Sequence, residues 1–155
     1  MAGLYFEQFT VGQLFRHEIR RTVTDMDNIL FSSLTYNPAA IHIDHDYASR
    51  TAFGKPLMNS IFTLGLVIGL SVQDTTLGTT IGNLGMSDTT FPKPVFAGDT
   101  IRSETKVLAV RASTSRPTQG IVTFEHIGLN QRDEIVCRTV RGALMMRLPT
   151  EGGAA

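Results

Sequence analysis

The chain has 155 residues, and its 14 Lys and Arg balance 14 Asp and Glu, so the formal net charge is zero. That length suits one domain able to bury roughly two-thirds of its unfolded surface. The absence of any basic run excludes nucleic acid as the partner, because phosphate neutralisation needs clustered Lys and Arg.

Met1 to Phe9 carry neither the basic start nor the apolar block of a secretory signal, so the expected protein is soluble, cytoplasmic and without a membrane partner. The single Cys137 excludes an internal disulfide and reads as a core residue of a strand. His17, His42, His45 and His126 are scattered, and without CxxC or HExxH spacing no metal site is expected. A turn at Val11-Gly12-Gln13 leads into an irregular strand from Leu14 to Val23. Thr24 then caps a helix, with Asp27 in the reciprocal position of a capping box. Ile29, Leu30, Ser33 and Leu34 give that helix its stripe until Pro38 forbids continuation. Asp44 is placed to cap a short helix from His45 to Arg50, and Gly54 and Pro56 mark the loop after it.

Pro56 to Val72 is apolar on every side, and a helix of that kind must be buried all round. Its length, roughly 14 residues from Asn59-Ser60, falls short of the about 20 that a bilayer requires. It is therefore expected as a core helix, with Gly65 and Gly69 on one face letting a sheet approach closely. Thr79 to Met86 is extended, with Gly82 and Gly85 as bulge positions. Phe91 to Phe96 carries two prolines and cannot be a central strand. Thr100 to Val110 alternates cleanly. Ser113 to Gly120 is a loop, and Ile121–Gly128 and Glu134–Arg147 form a hairpin about Asn130 to Asp133. Thr150 to Ala155 is expected to be a disordered tail after a single domain spanning 1–149. The sum is an α+β fold, an antiparallel sheet curled around a long central helix.

One cluster looks chemical: Asn37-Pro38 and His42-Ile43-Asp44, shortly before the core helix. With Tyr47-Ala48, Phe53-Gly54-Lys55-Pro56-Leu57, Asn59-Ser60 and Pro94-Val95-Phe96-Ala97-Gly98-Asp99-Thr100, it resembles the MaoC-like dehydratases, the (R)-specific enoyl-CoA hydratases and their relatives. The resemblance runs from Phe9 to Arg147. It implies a hot-dog fold, a homodimer with higher homo-oligomers left open, and reversible addition of water to an α,β-unsaturated acyl-CoA. No cofactor is implied beyond the coenzyme A of the substrate itself.

The family motif is Asp-x-Asn-Pro-x-His, and this chain departs from it. Its acidic position falls on Thr35 when matched on Asn37-Pro38, or on Asn37 when matched on His42. His42 is then the principal acid–base group, with Asn37 orienting the water, because an amide cannot take a proton. Asp44 is either a displaced carboxylate or the helix cap already described. The Ser60 backbone amide, at the start of the core helix, would face the thioester oxygen, with Asn59 beside it at the substrate. Ser113-Thr114-Ser115-Arg116-Pro117 with Gly120 resembles a branch acting on short dicarboxylic acyl-CoAs of the itaconyl, mesaconyl or methylmalyl type. Arg116 is accordingly a candidate for a substrate carboxylate or the coenzyme A phosphates, and Lys55 and Lys93 for the phosphates. A hot-dog thioesterase and a non-catalytic acyl-CoA-binding subunit remain the alternatives.

Overall fold

The computed structural model describes residues 3–149; the tail from Thr150 lies outside them. Five strands form one antiparallel sheet: β1 (Leu14–Thr22), β2 (Thr80–Thr90), β3 (Thr100–Ala112), β4 (Gln119–Leu129) and β5 (Ile135–Met146). Their spatial order is β1-β3-β4-β5-β2. The prolines at Pro92 and Pro94 keep the segment after β2 out of the ladder, as their missing donors require. Four helices fill the gap between β1 and β2: α1 (Asp25–Leu34), α2 (Ala40–Ile43), α3 (His45–Ser49) and α4 (Ser60–Thr75).

Local chemistry fixes where these helices start. The Thr24 hydroxyl accepts from the Asp27 amide, and the Asp27 carboxylate accepts from the Thr24 amide at 2.8 Å, completing the capping box. Asp44 caps α3 by accepting from the Tyr47 amide at 2.9 Å, and Asn59 caps α4 by accepting from the Ile61 amide at 3.0 Å. Substitution of such a cap by Ala costs about 1 kcal/mol. The short α2, which carries His42, had no sequence signal of its own.

Helix α4 lies across one face of the sheet but is not enclosed all round. Val67 and Ser71 are fully buried, whereas Ile61 is 58% exposed. A Cβ added at Gly65 or Gly69 would meet nothing within 4 Å, so these glycines do not admit the sheet. The close approach is made instead by Gly128 on β4, where a Cβ would overlap the Val67 side chain. Helix α1 is turned the other way from its stripe. Asn28 and Ser32 are buried, while Leu30 and Leu34 stand 54% and 71% exposed. Polar tertiary contacts outweigh its apolar periodicity.

Two apolar clusters lie on the helix-facing side of the sheet, one under α4 and one under the N-terminal segment. One joins Val67 and Leu70 to Ile101, Val136 and Cys137. Burial pushes the Cys137 thiol up to about 11, which leaves it an inert core group. The other packs Phe6 and Phe9 over Val107, Val122 and Phe124, with Phe9 and Phe124 edge to face at 5.3 Å.

Between them the helix-facing side of the sheet carries a polar band. The Asp74 carboxylate accepts from His17 Nδ1 at 2.8 Å. His17 Nε2 lies 2.8 Å from the Thr105 hydroxyl, which lies 2.9 Å from His126 Nδ1. His126 stands opposite Thr139, whose hydroxyl is 2.8 Å from that of Thr89. The band thus crosses all five strands. Burial, then the charges of Arg141 and His17, push the His126 imidazole down to about 3.

The unfolded chain takes up the His126 proton near the ordinary histidine value while the folded chain refuses it until near pH 3. Its stabilising effect is therefore complete above about pH 6.5 and is lost progressively below it. Between pH 6 and 4 the unfolding free energy of the native protein should fall more steeply than that of His126→Gln, by about 1.4 kcal/mol per pH unit. Denaturant titrations at several pH values check this, and equal slopes would refute it.

Candidate active site

The geometry around His42 is built by one buried side chain, Asn28 of α1. Its Nδ2 donates to the carbonyl of His42 at 2.8 Å and to that of Leu57 at 3.0 Å. Its Oδ1 accepts from the Asn59 amide at 2.9 Å. One turn further on, the Asn59 side chain donates to the Ser32 hydroxyl at 3.3 Å. The i, i+4 spacing puts Asn28 and Ser32 on the same face of α1, so that single face holds both α2 and the start of α4. The capping motif Thr24–Asp27 sets where α1 begins and hence where this face points. Neither residue carried a motif signal, although buried polar residues inside an apolar helix pattern are where such a signal could have been sought.

His42 is half-buried, and its Nδ1 lies 2.7 Å from the Leu57 carbonyl. A carbonyl only accepts, so Nδ1 bears a proton and Nε2 is the ring nitrogen left for a substrate or water. Leu57 also lines a cavity of about 190 Å³ together with Ser60, Thr63, Phe91, Lys93 and Val136. Leu57 therefore links the imidazole to the mouth of α4. There the Asn59 and Ile61 amides are both engaged, while the Ser60 amide between them has no acceptor among the described residues. This is a helix-terminal donor, with the positive end of the helix dipole behind it.

The other expected residues fall into three groups. Asn37 is close by, but its Oδ1 already accepts from the Ala39 amide at 3.1 Å, and it lines a separate cavity with Ser32, Tyr36 and Pro38. Thr35 is tied back to its helix, donating to the Phe31 carbonyl at 2.8 Å, so the motif's acidic position is not filled from there. Asp44 serves as the cap of α3. Lys93 lines the Ser60 cavity, and Lys55 sits over the Phe96 ring at 4.5 Å, a ring that packs 6.1 Å from Phe53 of the cavity wall. Arg116 is not brought to the site of its own chain. It lies beyond the far end of β3, a strand that starts near the α4 mouth and runs about 40 Å at 3.3 Å per residue.

An antiparallel five-stranded sheet in the order β1-β3-β4-β5-β2, with one helix across it and a histidine loop at that helix's start, defines a hot-dog protein. The same architecture is seen in a double hot-dog protein of Mycobacterium tuberculosis, with a TM-score of 0.85 at 23% identity over 99% of this chain and 47% of that one. Residues 6–129 match the model of the MaoC-like domain, and the chain belongs to that family. It is 30% identical to a β-methylmalyl-CoA dehydratase of Chloroflexus aurantiacus, over 94% of this chain and 41% of that protein. It is 29% identical to a mesaconyl-CoA hydratase of Cereibacter sphaeroides, over 99% of this chain and 44% of that one. The chain thus spans less than half the length of these two relatives. A MaoC-like dehydratase structure from Rhodospirillum rubrum superposes with a TM-score of 0.83 at 30% identity, covering 96% of this chain and all of that one.

Asn28→Ala would leave the His42 carbonyl and the Asn59 amide without their partner and take one of two donors from the Leu57 carbonyl, at a cost of about 2–3 kcal/mol. The expected fall in Tm is about 5–10 °C, read by calorimetry. A change within 1 °C would show that water replaces the amide and that the clamp carries little energy.

Proposed function

We propose that this chain is an acyl-CoA hydratase/dehydratase of the MaoC-like family, adding water reversibly across the double bond of an α,β-unsaturated acyl thioester. The observation that carries the proposal is the pairing of an Nδ1-protonated His42 with the unengaged Ser60 amide, linked through Leu57. The naming of relatives for β-methylmalyl-CoA and mesaconyl-CoA favours short dicarboxylic acyl groups as substrates.

In this reading the thioester carbonyl lies against the Ser60 amide. Water sits by His42 Nε2, the ring nitrogen turned away from the Leu57 carbonyl. The water oxygen bonds to the β-carbon while Nε2 takes its proton, and the double-bond electrons move toward the thioester oxygen. The enolate charge develops at the Ser60 N–H, where one preorganised donor is worth about 3–4 kcal/mol of barrier. His42 then returns the proton to the α-carbon, and atoms and charge balance with no electron transfer. The Leu57 carbonyl holds the ring in one tautomer but supplies no charge, in contrast to the carboxylate of the family motif.

A second copy completes the molecule in this proposal. Strand β2 is an edge paired only with β5, and Ile81, Leu84 and Met86 along it are each more than 40% exposed. The open Ile61–Gly65–Gly69 face of α4 adds a second exposed patch suited to a matching copy. Arg116 and the lysines would then act on coenzyme A phosphates across that interface.

Turnover of crotonyl-CoA and mesaconyl-CoA, followed as loss of enoyl-thioester absorbance, tests the activity. His42→Ala should lower kcat/KM by at least 10²-fold. Release of free coenzyme A would mean a thioesterase, and tight binding without turnover a non-catalytic subunit. Sedimentation tests the assembly: the native protein should show twice the 17.0 kDa protomer mass, and Gly65→Glu should reduce it to one. A native monomer at all concentrations would end the dimer reading.

A further inference from the structure

The Ser60 cavity carries two polar side chains that the hydration step leaves unused. Its lining is apolar apart from Ser60, Thr63 and Lys93, and no carboxylate belongs to it among the described residues. Thr63 follows Ser60 by three residues on α4, so both stand on one face of the helix, about 4.5 Å apart along its axis. Thr63 is 3% exposed. Its hydroxyl has one partner among the described residues, the Asn59 carbonyl at 3.4 Å, which already accepts from the Thr63 amide at 3.1 Å. A well-made O–H···O bond is about 2.7–2.8 Å long, so this hydroxyl is buried but barely held. It can turn its proton to an acceptor in the cavity at little cost.

Lys93 reaches the same cavity from the segment after β2. Pro92 and Pro94 on either side restrict the backbone that carries it. Its ammonium has no ion-pair partner among the described residues, because the neighbouring Glu134 is engaged by Arg132 at 2.9 Å and by Asn130 at 2.8 Å. Lys93 is exposed and supplies sign and reach, whereas the buried Thr63 supplies direction. Both groups donate, so the ligand they share is an anion with acceptor oxygens. The apolar walls around them lower the local dielectric and strengthen that attraction.

The volume limits what the anion can belong to. At about 30 Å³ for each water-sized group, a cavity of about 190 Å³ holds about six of them. A short dicarboxylic acyl group has about that many non-hydrogen atoms beyond its thioester carbonyl. One helical turn, from the Ser60 amide to Thr63, is also close to the separation of the two carboxyl carbons in a four-carbon diacid.

We propose that the Thr63 hydroxyl and the Lys93 ammonium together receive the distal carboxylate of a short dicarboxylic acyl group, and that Thr63 is the residue that distinguishes such groups from simple ones. This rests on the acyl-thioester reading of the Ser60 cavity, with the thioester oxygen at the Ser60 amide. Lys93 thereby passes from the coenzyme A phosphates to the acyl group, and the phosphates are left to Lys55 and Arg116.

The test titrates two matched pairs of saturated thioesters, which cannot be hydrated: succinyl-CoA with butyryl-CoA, and glutaryl-CoA with pentanoyl-CoA. Coenzyme A contacts cancel within each pair. For the native protein the dicarboxylic member of at least one pair should bind at least about 10-fold tighter by calorimetry. Thr63→Val keeps the shape of the side chain without its hydroxyl and should cut that ratio at least about threefold. Thr63→Ser keeps the hydroxyl and should keep the ratio. Lys93→Met should cut it too, and at an exposed position it decides the matter should Thr63→Val not fold. Equal affinities within both pairs for the native protein would overturn the proposal. A ratio untouched by Thr63→Val would overturn it as well. So would an equal loss across all four ligands in Lys93→Met, which would return the lysine to the phosphates. A native protein that binds none of the four thioesters would overturn the acyl-thioester reading itself, and this inference with it.

Discussion

The site depends on a single buried amide. Asn28 cannot release any of its three contacts without leaving a polar group stranded in the interior, so α1, α2 and the mouth of α4 move as one body. This constraint explains why α1 presents its polar face inward and its leucines outward. It also bears on the acidic position of the family motif, which this chain does not fill. The imidazole is oriented by the Leu57 carbonyl, which is itself held by Asn28, and no carboxylate is needed to choose the tautomer.

The sheet makes a second unusual choice. Its helix-facing side, which would ordinarily be apolar throughout, holds a row of histidines and threonines from His17 to Thr89. Each hydrogen bond in the row is modest in net worth, but any orphaned member is expensive. The row therefore acts more on specificity than on stability: it permits one register of β3 against β4 and one rotamer for each ring. The apolar clusters on either side, about Val67 and about Phe124, provide most of the burial.

Much of the architecture was legible in the sequence because it is locally encoded. Thr24–Asp27, Asp44 and Asn59 are capping signals whose chemistry is complete within a few residues, and the alternation of β3 needs no partner to be recognised. The orientation of faces was not legible. Ile29, Leu30 and Leu34 form a convincing apolar stripe, yet two buried polar side chains on the opposite face decide the direction of α1. Gly65 and Gly69 look like a packing surface for the sheet, but the glycine that does this work is Gly128, sixty residues away in sequence and adjacent only through the fold. Within the site, His42 and Ser60 could be found from motif and helix start. Asn28 could not, since its role is written in long-range contacts that a spacing pattern does not contain.

The outward-turned face of α1 has a bearing on how the protein is made. Met26, Leu30 and Leu34 repeat at one-turn intervals along it, all more than half exposed. Folding therefore does not by itself remove the chain's adhesive surface; it creates part of it, since the same leucines in an unfolded segment would not be aligned. Refolding from denaturant thus becomes a race between folding and indiscriminate association, so the recovered fraction should rise as the protein is diluted.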